Sequence, residues 1–389
     1  MAIDVEVVRN DTPGTELLTH FNNAGCSLAP QPVLDSVTQY LRDEASVGGY
    51  RLEAERHADV FAYRSFAAQL FDCAPEEIAF APSATAAWWS ARNAVSLEAG
   101  DRVLATTAEY SSNVFGLIQL RKRGVQVELI PSESDGRVSV DALAEMMDER
   151  VKLVCVTHVP TEGGLVNPVA EVGLVVSNWP ALYLLDACQS VGQLSISVRE
   201  VGCDFLAATG RKYLRAPRGT GLLYVRNGLE GLEDPSLMDL RSASWVSAWD
   251  YKLAATASRF ETFESSAACR VGLGVALEYA ISLGLDNISE RIGVLSTELR
   301  HLLFGLSGVE VRELQGPQSG LVTFVVDGHR SAEVRDALYR NDVNVSVVAP
   351  THASFDPTRR VDQALIRASV HYFNTSSELN RLADCLSQL

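Results

Sequence analysis

Short apolar runs alternate with segments of helical spacing through the first two-thirds of the chain. Arg102–Thr106, Val125–Ile130, Lys152–Val156, Tyr183–Asp186 and Phe205–Ala208 each place apolar residues together between polar or turn-forming flanks, the pattern of a buried strand. Between them, Val114–Arg123 and Val140–Glu149 repeat apolar residues at helical spacing. Such alternation builds a mostly parallel sheet covered by helices. Gly221–Val225 follows its predecessor after a glycine-rich turn and is predicted to return antiparallel. A long amphipathic helix is predicted over Ala267–Leu283. Beyond it, strands at Gly308–Val311, Leu321–Val326 and Val343–Val348 alternate with helices at Ser331–Arg340 and Ser377–Leu386. The expected organisation is α/β, with a large domain over residues 16–280. A smaller α+β domain takes residues 1–15 and 281–389, and a helix near residue 280 joins the two.

Composition narrows the class. A chain of 389 residues with 47% hydrophobic content can bury a large core divided between two domains. No apolar run approaches the roughly 18 to 20 residues of a membrane helix, and Met1–Asn10 alternates acidic and apolar residues, unlike a secretory signal. Seven cysteines without regular spacing point to reduced thiols in a cytoplasmic protein. A net charge of -16 argues against a nucleic-acid partner, which needs clustered Lys and Arg. A small-molecule substrate remains, with no membrane partner and no metal site expected.

The candidate chemistry begins at Lys212. The chain has only four lysines, and this one follows an apolar strand and precedes the return Arg218-Gly219-Thr220-Gly221. An amine held at a strand end can lose its proton and attack an aldehyde; a surface-loop lysine is the plainer alternative. Upstream, Asp186 ends the apolar strand Tyr183–Asp186. Parallel sheets present functional groups at such ends, although a helix N-cap is a common fate for an aspartate there.

Eight motifs in order carry a resemblance over about residues 21–375. They are Phe21-Asn22-Asn23-Ala24-Gly25, Ser83-Ala84-Thr85, Ala108-Glu109-Tyr110, Thr157-His158-Val159, Asp186-Ala187-Cys188-Gln189, Thr209-Gly210-Arg211-Lys212, Arg259-Phe260-Glu261, and Arg367-Ala368-Ser369 with Asn374-Thr375. The chain resembles the class V branch of fold-type I pyridoxal-phosphate enzymes, which includes the cysteine desulfurases. The resemblance implies a fold-type I transferase with a large, mostly parallel seven-stranded sheet and a smaller C-terminal α+β domain. It also implies pyridoxal 5'-phosphate as cofactor and a homodimer with active sites near the interface. Lys212 would hold the cofactor's aldehyde and Asp186 would keep its ring nitrogen protonated. Ala84, Thr85 and Thr209 would bind the phosphate, the first two at a helix N-terminus over Ala86–Val95. Tyr110 would stack on the ring where desulfurases usually carry histidine, and Gln189 would bond its phenolic oxygen. Thr161 and Arg211 occupy further cofactor positions at which desulfurases have an amide and a histidine. Thr262-Phe263-Glu264 replaces their Ala-Gly-Thr, so its reach to the partner's phosphate is open.

At the substrate end, Arg367 matches the arginine that clamps an α-carboxylate through a two-point bond, with Asn23 assisting. A desulfurase carries a cysteine on the loop before that arginine. Here the stretch from Asn344 to Arg360 has none, and a gapless count puts His352 at the position. The cysteine-free loop together with Thr209-Gly210-Arg211-Lys212, Pro160-Thr161-Glu162-Gly163-Gly164 and Arg367-Ala368-Ser369-Val370-His371-Tyr372 resembles the sub-branch of lyases that cleave S-substituted cysteines. It implies β-elimination from an S-substituted L-cysteine or its sulfoxide, giving a thiol or sulfenate, pyruvate and ammonia, in natural-product or thiol metabolism. Transamination, epimerisation and decarboxylation coupled to oxidative deamination remain alternatives, as does a non-catalytic scaffold. Retention of Asp186, Lys212 and Arg367 together argues against the scaffold.

Overall fold

The computed structural model describes residues 3–313, 316–349 and 364–389. Seven strands form the central sheet: β1 (Ile78–Ala81), β2 (Arg102–Ala105), β3 (Gln126–Leu129), β4 (Val151–Thr157), β5 (Leu182–Asp186), β6 (Phe205–Thr209) and β7 (Gly221–Val225). They lie in the order β1-β7-β6-β5-β4-β2-β3. β7 runs antiparallel to both neighbours, as its position after a tight turn predicts, and every other pairing is parallel. β5 and β6 are buried almost throughout, which is why they read as continuous apolar runs.

Alternate side chains along the strands feed two cores. Val103, Leu153, Leu184, Phe205 and Leu223 pack with Trp88 and Leu117 on one face, beneath helices α3 (Ala84–Ala94) and α4 (Ser111–Lys122). Leu104, Val154, Leu185, Leu206 and Leu222 join the larger core on the other face. There α5 (Ala267–Leu283) packs against two N-terminal helices, α1 (Gln31–Val47) and α2 (His57–Phe71). α5 is not the one-sided amphipathic helix expected from its spacing. Arg270, Val271, Gly272, Leu273 and Gly274 are consecutive and all buried, so neighbours enclose it on most sides. It ends at Gly284, whose φ of +79° suits glycine, and α6 (Leu285–Phe304) departs at 77°. Among the described residues no single helix is long and apolar enough to cross a membrane.

A second, antiparallel sheet contains β8 (Val309–Val311), β9 (Leu321–Val326), β10 (Ser346–Val348) and β11 (Leu365–Ser369), in the order β8-β9-β11-β10. The single strand expected over Val343–Val348 is divided at Val345. Val343–Asn344 pairs in parallel with Thr19–His20, whereas Ser346–Val348 joins β11. The helix expected over Val140–Glu149 ends at Met146, and the last helix is Ser376–Leu386.

Candidate active site

The strand order reverses between β2 and β4, which opens a crevice at their carboxyl ends, the usual ligand position in such sheets. Asp186 closes β5 beside it. Its Oδ1 accepts the Cys188 N–H at 2.9 Å and its Oδ2 accepts from Asn113 Nδ2 at 2.8 Å. Burial pushes its proton affinity up, while the bonds from Asn113 and Cys188 and the charge of Lys212 oppose that rise. Lys212 lies three residues past the end of β6, and its buried Nζ donates to Cys188 Sγ at 3.2 Å. Burial pulls the Lys212 pKa down; Cys188 opposes this and the Arg211 charge adds to it. The amine is therefore easier to deprotonate than an exposed lysine. Cys188 itself is pushed up by burial, which keeps its thiol neutral.

The phosphate candidates surround the start of α3. Ser83 caps this helix, its Oγ accepting the Ala86 N–H at 3.1 Å, and the first-turn N–H groups of Ala84 and Thr85 have no intrahelical partner. The helix thus begins at Ala84, two residues before its expected start. The Thr85 hydroxyl lies 3.4 Å from Ser112 Oγ, and the Thr209 hydroxyl reaches Thr220 O at 3.4 Å. A Cβ on Gly221 would stand 2.7 Å from the Ser83 carbonyl carbon, so only glycine lets this cap rest against β7.

Arg367, on β11, reaches across to the loop after β4. Its Nη1 donates to Thr161 O at 2.8 Å and to Thr161 Oγ1 at 2.7 Å. No carboxylate pairs with it among the described residues, and its Nε is buried without a partner. Burial lowers its pKa to about 10. Thr161 Oγ1 also accepts from Gln189 Nε2 at 3.1 Å, which links the two sheets through one hydroxyl. Gln189 Oε1 is buried and unpartnered. The Arg211 guanidinium adds to the lowering of the Arg367 pKa. Tyr110 stands at the N-cap of α4 with its ring 41% exposed, free to cover a flat ligand. A buried amine, a buried carboxylate, an open helix N-terminus and an unpartnered amide oxygen fit pyridoxal phosphate.

One expectation changes. The Asn23 amide is spent on the fold, donating to Ser369 O at 2.7 Å and His20 O at 3.2 Å and accepting from Ser27 Oγ at 2.7 Å. With both side-chain polar atoms engaged, the amide shapes the loop and has no N–H left for a substrate carboxylate. Its neighbour Asn22 is the loop residue with a buried, unpartnered oxygen. His352 lies outside the described residues.

Sequence reasoning assigned no role to Glu109, Asn113 or Thr157, yet all three are buried beside Asp186. Asn113 Nδ2 also donates to Glu109 Oε2 at 3.0 Å, and Thr157 Oγ1 donates to the same oxygen at 2.9 Å. The available signal was the position of Glu109 and Thr157 inside two of the quoted motifs.

A model of the family described as aminotransferase class-V matches residues 19–382. A probable cysteine desulfurase of Methanothermobacter thermautotrophicus is 28% identical over 396 residues, covering 99% of this chain and 98% of the relative. A cysteine desulfurase of Cronobacter sakazakii is 26% identical, covering 98% of this chain and 97% of its own. Among solved structures, apo cysteine desulfurase from Thermococcus onnurineus superposes with a TM-score of 0.91 at 25% identity, covering 100% of this chain and 98% of the other. The cystine C-S lyase C-DES, solved with its product cysteine persulfide, shares the fold with a TM-score of 0.87 at 24% identity, covering 97% and 99%.

Proposed function

The chain belongs to the aminotransferase class-V family of pyridoxal-phosphate enzymes, and on that premise we propose that it is a C–S β-lyase. Its substrate is an S-substituted L-cysteine or the corresponding sulfoxide, cleaved to a thiol or sulfenate, pyruvate and ammonia. The observation that carries the substrate class is Arg367, a buried guanidinium with an unpartnered Nε and no carboxylate beside it among the described residues. Such a cation calls for an anion, and the α-carboxylate of an amino acid matches its planar fork. Relatives named cysteine desulfurase support cysteine-type substrates.

Pyridoxal phosphate, when bound, supplies a carbonyl carbon that condenses with amines and a ring that takes up an electron pair. Lys212 Nζ, its pKa lowered by burial, would hold that carbon and would serve as the base for the substrate Cα proton. Asp186 would hold a proton at the ring nitrogen, Gln189 would bond the phenolic oxygen, Ala84, Thr85 and Thr209 would receive the phosphate, and Arg211 would occupy a further cofactor position. Thr161 fixes the fork of Arg367 before substrate arrives, so little ordering remains to be done on binding. Elimination is favoured over persulfide formation because residues 344–360 contain no cysteine. Cys188, the thiol at the site, is kept neutral by burial and is a poor nucleophile.

Product analysis tests the reading with cysteine, S-alkyl cysteines and their sulfoxides. Pyruvate with free thiol or sulfenate is the expected outcome. Alanine with released sulfur would make the enzyme a desulfurase, a keto acid with intact sulfur a transaminase, and an aldehyde with CO2 an oxidative decarboxylase.

A further inference from the structure

Asp186 is one end of a buried polar chain that continues away from Lys212's thiol partner. The single amide nitrogen of Asn113 serves two carboxylates, Asp186 Oδ2 at 2.8 Å and Glu109 Oε2 at 3.0 Å. Glu109 is fully buried, and its remaining bonds come from the hydroxyls of Thr157 and Thr106. These donors sit at the carboxyl ends of β4 and β2, and Thr157 is the direct cross-strand partner of Asp186. Among the described residues no lysine or arginine pairs with Glu109, so its ligands are neutral amides and hydroxyls. Anchoring Asn113 alone needs only an acceptor, which a neutral glutamine would provide without the cost of burying a charge.

We propose that Asn113 and Glu109 are positioning residues for Asp186: the amide fixes its carboxylate, and Glu109 adds a second negative charge behind it that strengthens its hold on the proton of the cofactor's ring nitrogen. The proposal rests on the reading that Asp186 faces that nitrogen. The donor set favours a charged Glu109: against burial and the Asp186 charge, which raise its proton affinity, Thr106, Asn113 and Thr157 all donate to its carboxylate and lower it. A cation placed beside this pair is favoured by both charges, and removing either makes its proton easier to lose.

The test follows the protonation midpoint of the bound cofactor's ring nitrogen, read by 15N NMR of ring-labelled cofactor, and the cofactor's dissociation constant, in holoenzyme carrying Glu109→Gln, Asn113→Ala or Asp186→Asn. Glu109→Gln keeps shape and hydrogen bonding, so its midpoint falls by on the order of one pH unit through lost charge alone. Asn113→Ala shifts the midpoint in the same direction and loosens the cofactor about tenfold. If Asn113→Ala does not fold, Asn113→Ser retains one donor hydrogen and gives a smaller shift of the same sign, whereas a wild-type midpoint counts against the proposal. Wild-type values in the Glu109 and Asn113 variants, with Asp186→Asn shifted, overturn it. An unshifted Asp186→Asn instead removes the underlying reading of Asp186.

Discussion

At the scale of single residues, Arg367 offers the sharpest test of substrate class. Lysine in its place keeps a charge but loses the planar fork, so it cannot hold Thr161 and a carboxylate together. Arg367→Lys should raise KM for the amino acid by on the order of tenfold to a hundredfold while cofactor affinity stays at the wild-type value; steady-state kinetics and dialysis measure the two separately. His158 gives a stability test. Burial lowers its pKa to about 4, from 6.5, so the folded chain refuses a proton that the unfolded chain accepts. Its stabilising contribution is complete above about pH 6.5 and is lost as pH falls toward 4, a change of about 3 kcal/mol. His158→Asn should therefore show a smaller drop in melting temperature between pH 7 and pH 5 than the wild type, by calorimetry on matched samples. Asp186 was legible because it ends an apolar strand, Lys212 because it follows another and stands in line with Asp186, and Arg367 through the motif that carries the family resemblance. Glu109 and Asn113 were not, because polar residues around a helix start look like ordinary caps until the neighbouring strand ends are brought beside them.

At the scale of elements, the strands of the central sheet could be read because two-sided burial leaves unbroken apolar runs. α1 and α2 went unread: α1 carries a narrow apolar stripe, Val33, Val37 and Tyr40, in an otherwise polar helix, α2 buries residues without one dominant stripe, and their pairing with α5 appears only in three dimensions. The division at Val345 had no local signal either, since two different partner strands impose it. The cap of α3 shows how a strand tunes a helix terminus. Gly221→Val would drive a side chain into the Ser83 backbone, where even a Cβ would stand 2.7 Å from a carbonyl carbon. The displaced cap would carry the Ala84 and Thr85 N–H groups out of alignment. Cofactor affinity should fall by about tenfold or more, read by equilibrium dialysis, while KM for the amino acid in cofactor-saturated enzyme changes little, because Arg367 lies on the other sheet.

At the scale of the whole molecule, one surface is conspicuously apolar. The hairpin formed by Ala243–Ser247 and Asp250–Leu253 holds Trp245 82% exposed and Trp249 98% exposed. Leu237 and Leu240 stand 69% and 76% exposed just before it. Phe263, itself half-exposed, is tied to this region: its N–H donates to Asp239 Oδ2 at 2.7 Å and the Arg241 guanidinium lies 5.6 Å from its ring centre. Two exposed tryptophans on one hairpin are costly to leave in water, and contiguous apolar surface of this kind marks an interface. The occupant we expect is a second copy of the chain, because the patch adjoins Thr262–Glu264, the segment whose counterpart in the desulfurases reaches a partner's phosphate. Sedimentation velocity should therefore find a dimer, and Trp245→Ser with Trp249→Ser should shift it toward monomer at micromolar concentration. If the partner's segment also completes the phosphate site, the same double variant binds its cofactor more weakly. A variant that remains dimeric with unchanged cofactor affinity would place the subunit contact on another face and leave the hairpin without a role in assembly.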